Sequence, residues 1–173
     1  LKDVEQRYRQ RYLDLIISPE VKETFVQRSK IIDVVRQVLK QKDYLEVEIP
    51  VLEPTYGGAA ARPFKSFLHS LKMDVYLRIS LELPLKKLIV GGFDRVFEIS
   101  KVFRNEDIDR FHNPEFTMLE AYQAYADFND MMELTEDIYV AAAKTLHGKT
   151  KITFQGSTID FKKPWERLTM VEA

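Results

Sequence analysis

Two stretches of residue alternation, Val96 to Arg104 and Glu115 to Ala124, constrain this chain more than anything else in it. Period-two patterning makes each a strand whose successive side chains take opposite faces, and together they read as one antiparallel hairpin. One face of the outgoing strand carries Val96, Glu98, Ser100, Val102 and Arg104; one face of the return strand carries Phe116, Met118, Glu120 and Tyr122. Polar groups thus recur where a buried sheet face should be apolar. An arginine, an aromatic ring and several carboxylates, Glu106 and Glu120 among them, belong to this single hairpin.

The rest of the chain builds one compact α+β unit around it. From Lys22 to Lys42 the apolar residues Phe25, Ile31, Ile32, Val34, Val35, Val38 and Leu39 recur at helical spacing, which predicts an amphipathic helix. Tyr44 to Leu52 alternates with Leu45, Val47, Ile49 and Val51 on one side, predicting a strand. Pro50 confines that strand to an edge or an interruption, because proline offers no ladder donor. Tyr56 to Phe64 is a small-residue loop, where backbone can approach a ligand. Met73 to Ile79 predicts a strand, and Ser80 a cap for a helix over Leu81 to Val90 that Gly91-Gly92 ends. Phe128 to His147 predicts a helix with Met132, Leu134, Ile138, Ala142 and Leu146 inward, and Lys151 to Phe161 a hairpin turning at Gln155 to Thr158. No Pro/Gly/Ser linker separates two domains, so residues 1–173 are expected to form a single domain.

Composition narrows the chemistry. Without cysteine there is no disulfide framework, thiol nucleophile or cysteine zinc site, and His69, His112 and His147 are too scattered for a local metal motif. No apolar run approaches the roughly 20 residues of a membrane span. A net charge of -1 supplies no global field for nucleic acid, which leaves local clusters such as Arg7, Arg9 and Arg11, or Lys162 and Lys163, for any RNA contact. The chain opens on Leu1 without a start methionine and closes on Thr169 to Ala173, where Thr169 and Glu172 have the spacing of a capping box. The expectation is a helix beginning there and further sequence downstream.

In order, amphipathic helix, proline-bearing strand, glycine loop, strand, helix and arginine-ended hairpin resemble the catalytic core of class II aminoacyl-tRNA synthetases. Local motifs narrow the resemblance to the class II lysyl-tRNA synthetases. Val38 to Pro54 is similar to class motif 1 and Phe103 to Phe116 to class motif 2. The Arg7-Tyr8-Arg9-Gln10-Arg11-Tyr12-Leu13-Asp14-Leu15 opening resembles that family's entry into the catalytic domain. Gly57 to Phe64 and Tyr122-Gln123-Ala124-Tyr125-Ala126-Asp127 favour lysine over the aspartyl and asparaginyl enzymes. The fold implied is a class II synthetase-like core, an antiparallel sheet flanked by helices and C-terminally incomplete.

The resemblance implies activation of L-lysine by ATP and transfer to tRNA(Lys), in a cytoplasmic homodimer joined through the motif 1 region. Joining a carboxylate to the α-phosphate of ATP demands charge neutralisation and in-line positioning rather than a protein nucleophile. Arg104 is the implied catalytic residue, since its planar fork can hold phosphate and carboxylate together. Asn105, Glu106, His112 and Asn113 are implied ATP contacts, with Phe116 a stacking face for adenine. Gly58, Glu82, Glu120 and Tyr122 are the implied lysine contacts; two carboxylates suit a substrate with two ammonium groups. Taken singly, His112-Asn113-Pro114 reads equally as a turn, Phe116 as a core aromatic, and Glu82 as a carboxylate favoured by a helix N-terminus.

The chain also departs from the family pattern. Leu81 and Pro84 stand where the family usually has a proline before the glutamate and an aromatic two residues after it. Class motif 3 and the acidic residues expected to hold magnesium have no counterpart, so no Mg2+ ligand is assigned; the anticodon-reading β-barrel is expected before Leu1. Two alternatives remain open: a synthetase-like paralogue that lysylates a protein, and a non-catalytic dimerisation module.

Overall fold

The computed structural model describes residues 3–172. In chain order these form α1 (Val4–Arg9), α2 (Arg11–Ile17), α3 (Pro19–Gln41), β1 (Leu45–Glu46), β2 (Leu52–Glu53), β3 (Lys65–Leu68), β4 (Met73–Leu77), α4 (Glu82–Val90), β5 (Arg95–Phe103), β6 (Glu115–Gln123), α5 (Phe128–His147), β7 (Lys151–Phe154) and β8 (Ser157–Asp160). The backbone divides into two compact units, Leu1–Val38 with Asp127–Ala173, and Leu39–Ala126.

The Leu39–Ala126 unit is built on the predicted hairpin. β5 and β6 pair antiparallel with Val96 opposite Tyr122, Glu98 opposite Glu120, Ser100 opposite Met118 and Val102 opposite Phe116. The two polar-studded faces read from sequence are therefore one face. β1 joins this sheet alongside β5 in a parallel pair, so the sheet is mixed, while β2, β4 and β3 form a second, antiparallel sheet. Leu81, Leu85, Val96 and Val102 make a buried cluster, with Val47, Ile49, Leu88, Ile89, Phe116, Met118 and Tyr122 packed against it. Half of the hairpin's inner face is thus ordinary core, supplied by α4.

The strand predicted over Tyr44 to Leu52 is corrected: it breaks into β1 and β2, which belong to different sheets. The break has a local cause. Ile49 N–H donates to the Glu98 carboxylate at 3.2 Å instead of to a ladder carbonyl, and Pro50 has no N–H to give. Val47 N–H still reaches Phe97 O at 3.0 Å, and Val51 O accepts from Arg78 N–H at 2.9 Å. β3 was not read from sequence, since three of its four residues are exposed and Lys65-Ser66-Phe67-Leu68 carries no alternating apolar signal. α4 begins one residue later than predicted. Ser80 sits one position before its N-cap, yet its Oγ accepts the Glu82 N–H at 3.1 Å. Pro84 falls in the first turn, where its missing N–H has no intrahelical partner to lose.

In the other unit, α5 keeps its predicted bounds. Asp127 caps it with a reciprocal capping box to Asp130, and Gly148 ends it at φ 69°. Leu134 is buried as expected; Ala143 and Glu136 are buried too, neither of them predicted, while Met132, Ile138, Ala142 and Leu146 are only partly buried. The turn of the last hairpin is tighter than read: Gln155 and Gly156 alone make it, both at positive φ, the geometry of a type I′ turn. Asp14 is fully buried between Arg7 and Arg11, at 2.9 and 2.7 Å. At the C-terminal end Glu172 accepts the Thr169 N–H at 2.8 Å, one half of a capping box, but the Thr169 hydroxyl donates to the same carboxylate and residues 170–172 form a turn where a helix was expected.

Glu136, 2% exposed, fastens residues 161–167 to α5. It accepts from Trp165 N–H at 3.1 Å and from Arg167 at 2.5 Å, and Tyr139 stacks on Phe161 beside Trp165. Burial alone would push its carboxyl up, but the Trp165 N–H and Arg167 outweigh burial and hold it below the usual carboxylate value. A depressed folded pKa stabilises above the unfolded value, near 4.5, and that stabilisation is lost as pH falls through the folded value. Because Trp165 is the only tryptophan, its fluorescence reports this segment. The acid-unfolding midpoint seen by fluorescence is expected to move to higher pH in Arg167→Ala; an unmoved midpoint would show that the pair does not secure the segment.

Candidate active site

The site is assembled on the inner face of β5 and β6 and on the stretch from Arg78 to Glu82. That stretch has no strand ladder of its own beyond Leu77. It is held instead by polar contacts. Arg78, 1% exposed, lays its guanidinium along β5: Nη1 is 3.1 Å from Glu98 and 2.9 Å from Ile49 O, Nε is 2.9 Å from Lys101 O, and Nη2 bonds Ser100 Oγ. Glu98, 5% exposed, therefore has its countercharge. The polar residues Glu98 and Ser100, conspicuous in the sequence, are ligands of Arg78, a residue the sequence reading did not single out. The signal was present only as an arginine inside a predicted strand.

Arg104 stands at the end of the same face. Its guanidinium carbon lies 5.2 Å from the centre of the Phe116 ring, and its Nε is 3.4 Å from Ile79 O. Among the described residues it has no carboxylate at ion-pairing distance, although a structural arginine would want one. Phe103 N–H and Arg104 N–H bond to Arg78 O and Pro114 O, each at 2.9 Å, which fixes where the side chain emerges.

Glu120 is the second centre. Its Oε1 accepts from Ser80 Oγ at 2.7 Å and from Leu81 N–H at 2.9 Å, and its Oε2 accepts from Tyr122 O–H at 2.9 Å. All three donors are neutral. No cation is paired with Glu120 among the described residues, so the cross-strand ion pair that would make it purely structural is not seen. Burial, then the adjacent Glu120, then Glu82 hold the Tyr122 phenol well above its usual value. It therefore remains a proton donor throughout the neutral range. Glu82, at the first position of α4, bonds Lys86 at 2.6 Å, and the Lys86 ammonium lies 5.8 Å from the Tyr122 ring centre.

The glycine loop closes on these residues. Gly58 has φ +85°, and a Cβ there would lie 2.9 Å from Ser80 Oγ and 3.0 Å from Glu82 Cβ. Gly58→Ala is expected to destabilise the protein by roughly 1–2 kcal/mol in urea unfolding, from positive-φ strain plus the clash; a change within a few tenths would mean that the loop relaxes freely. The loop also meets the β5–β6 connection: Arg62 N–H donates to Glu106 at 3.1 Å, and Asn105 N–H donates to Arg62 O at 2.8 Å. Ala60, Ala61, Arg62, Asn105, Glu106 and Asp107 line a cleft of ≈ 340 Å³. A groove of ≈ 650 Å³ beside α5, lined by Phe128, Met132 and Trp165 among others, contains none of the candidate residues.

Arg104 and Phe116 thus come together, as do Gly58, Glu82, Glu120 and Tyr122. His112 and Asn113 do not join them in the described contacts. His112 lies in an exposed turn organised by Asp109, which takes the N–H groups of Phe111 and His112 at 2.6 and 2.8 Å and the His112 ring at 2.7 Å. The basic clusters considered for RNA are largely neutralised: Arg7 and Arg11 by Asp14, Arg9 by Glu5, Lys163 by Asp137. Among the described residues no group of three or more His, Cys, Asp or Glu is placed to hold a metal ion.

Residues 3–173 match the family described as tRNA synthetases class II (D, K and N). Over all 173 residues the chain is 59% identical to a lysine–tRNA ligase of Roseiflexus sp. (strain RS-1), covering 35% of that protein. It is 60% identical to one of Methanoculleus marisnigri and 57% identical to one of Clostridium novyi, covering the whole chain and 34% of each relative. The chain spans about a third of the length of these relatives. With its motif 1 helix, its arginine-ended hairpin and a family match over nearly every residue, the chain belongs to the class II tRNA synthetases of the D, K and N group.

Proposed function

We propose that this chain forms the lysine- and ATP-facing part of a lysine–tRNA ligase, its two units being parts of one catalytic domain, since the family match runs through both. The observation that carries the reading is Glu120. A half-buried carboxylate that holds three neutral donors and no countercharge is an acceptor prepared for a cation. Tyr122 offers its oxygen beside it, Glu82 supplies a second carboxylate near the same ring, and Arg104 over Phe116 lies further along the hairpin.

The chemistry follows from these positions. A lysine carboxylate oxygen attacks the α-phosphorus of ATP, the bond to the β-phosphate bridging oxygen breaks, and pyrophosphate departs with that electron pair. A terminal ribose hydroxyl of tRNA(Lys) then attacks the lysyl carbonyl carbon, the bond from that carbon to the phosphate oxygen breaks, and AMP departs with the electron pair as the hydroxyl proton is lost. Arg104 neutralises charge on the α-phosphate and the incoming carboxylate. Phe116 stacks on the adenine, and Asn105, Glu106, His112 and Asn113 contact the ATP, Asn105 and Glu106 from the wall of the cleft that they line. Magnesium, when bound, would further screen the phosphates; no residue of this chain is assigned to it. Homodimerisation belongs to the proposal too, supported by Phe25, Val26 and Ile31 exposed along α3. So does a cytoplasmic location; no helix among the described residues is long and apolar enough to cross a membrane.

The test is calorimetric titration of the whole protein containing these residues with non-hydrolysable lysyl- and asparaginyl-adenylate analogues. Selective binding of the lysyl compound, lost by at least about tenfold in Glu120→Lys, is expected. Equal binding of both analogues, or undiminished lysyl binding by the variant, would overturn the assignment.

A further inference from the structure

Ser80 occupies an unusual position in the cleft. It is 4% exposed, and its hydroxyl works as both acceptor and donor: Oγ accepts the Glu82 N–H at 3.1 Å and donates to Glu120 Oε1 at 2.7 Å. A hydroxyl has one proton, and here the partner able to accept it is Glu120. Leu81 N–H fills the remaining site on the same oxygen at 2.9 Å. An ionised carboxylate has about four lone-pair positions. Ser80 and Leu81 take both on Oε1, Tyr122 takes one on Oε2, and one is left.

We infer that Ser80 is a specificity-determining positioning residue: by tying down Oε1 it makes Glu120 a one-oxygen acceptor that takes a primary ammonium and rejects a guanidinium. This rests on the lysine-binding reading above, with Glu120 facing the side-chain ammonium. A guanidinium binds a carboxylate best through two parallel N–H···O bonds, one to each oxygen. Here one oxygen is already full. An ammonium is a compact charge with freely rotating donors, and it can use the last Oε2 position together with the Tyr122 oxygen. The neighbouring carboxylate behaves the same way, since Glu82 holds the ammonium of Lys86 through one oxygen at 2.6 Å.

The experiment is calorimetry on the whole protein with lysyl-, arginyl- and asparaginyl-adenylate analogues, for wild type, Ser80→Ala and Ser80→Cys. Wild type is expected to prefer the lysyl compound over both others. Ser80→Ala frees a position on Oε1 and is expected to gain about tenfold toward the arginyl analogue while the lysyl affinity changes less, narrowing that ratio. Ser80→Cys, with a weaker donor of similar shape, falls between and keeps the test open if alanine does not fold. In a Glu120→Ala background the Ser80 substitutions no longer change the ratio, which a purely structural role would not produce. A wild-type ratio kept by both Ser80 variants overturns the role of Ser80 alone. Failure of wild type to prefer the lysyl over the asparaginyl analogue overturns the lysine reading, and the inference with it.

Discussion

Arg104→Ala is expected to lower lysine-dependent ATP–pyrophosphate exchange by about 10²–10³-fold, the scale on which losing one preorganised charge-stabilising group lowers a rate. The structure gives the reason for expecting so much from one side chain. Arg104 is spent on nothing else: it touches Ile79 O at 3.4 Å and the Phe116 ring, and pairs with no carboxylate among the described residues. Its removal strands no buried partner, so the fold should survive with an unfolding midpoint close to wild type. Arg104→Lys would restore charge without the two-pronged geometry and should recover only part of the rate. On the proposed role, in which the group acts on charge building in the transition state, the loss belongs in kcat more than in KM for lysine. A variant with unchanged exchange would remove Arg104 from the mechanism; one that lost only stability would make it an ordinary structural arginine.

Arg78→Met is expected to have the opposite profile, a loss of about 3–5 kcal/mol in urea unfolding, typical of breaking a buried ion pair from one side. Arg78 and Glu98 are both buried, and Arg78 also serves the carbonyls of Ile49 and Lys101. Removing it leaves a carboxylate in the core with only the Ile49 N–H for company. Adding Glu98→Gln should recover part of the loss, since the uncompensated charge is then gone. If Arg78→Met unfolds within about 1 kcal/mol of wild type, the pair is not what joins β5 to the Ile49–Val51 turn. Activity should suffer as well, through position: Arg78 O accepts from Phe103 N–H, and the two residues after Arg78 hold Arg104 and Glu120.

These two arginines also separate what can be read along a chain from what cannot. Arg104 was legible because motif and periodicity placed it at the end of a polar-faced strand beside Phe116. The pairing of Val96 with Tyr122 and of Val102 with Phe116 agrees with the alternation, although the register itself came from the structure. Helix α5 was legible from end to end, because apolar spacing, an N-terminal Asp and a C-terminal Gly all act within a few residues of each other. The grouping of Glu82, Glu120 and Tyr122 came from resemblance, and the geometry brings them together. His112 and Asn113 came from the same source, and the described contacts leave them in a turn of their own around Asp109.

Arg78 and Ser80 were invisible in their chemistry, one looking like a strand residue and the other like a cap. Their partners lie far off in sequence: Ser80 is 40 residues from Glu120, and Ile49 is 49 from Glu98. The same blindness made Tyr44 to Leu52 look like one strand, since nothing local says that Glu98 will take the Ile49 N–H. By itself the sequence determined α3, α4 and α5, the hairpin and the residue types on its inner face, because periodicity, caps and turns are short-range physics; α1 and α2 were not read from it. Only the tertiary structure decided which buried polar group answers which. A lone donor or acceptor in the core is costly, and its partner is set by whichever segments packing brings within about 3 Å, at any separation along the chain.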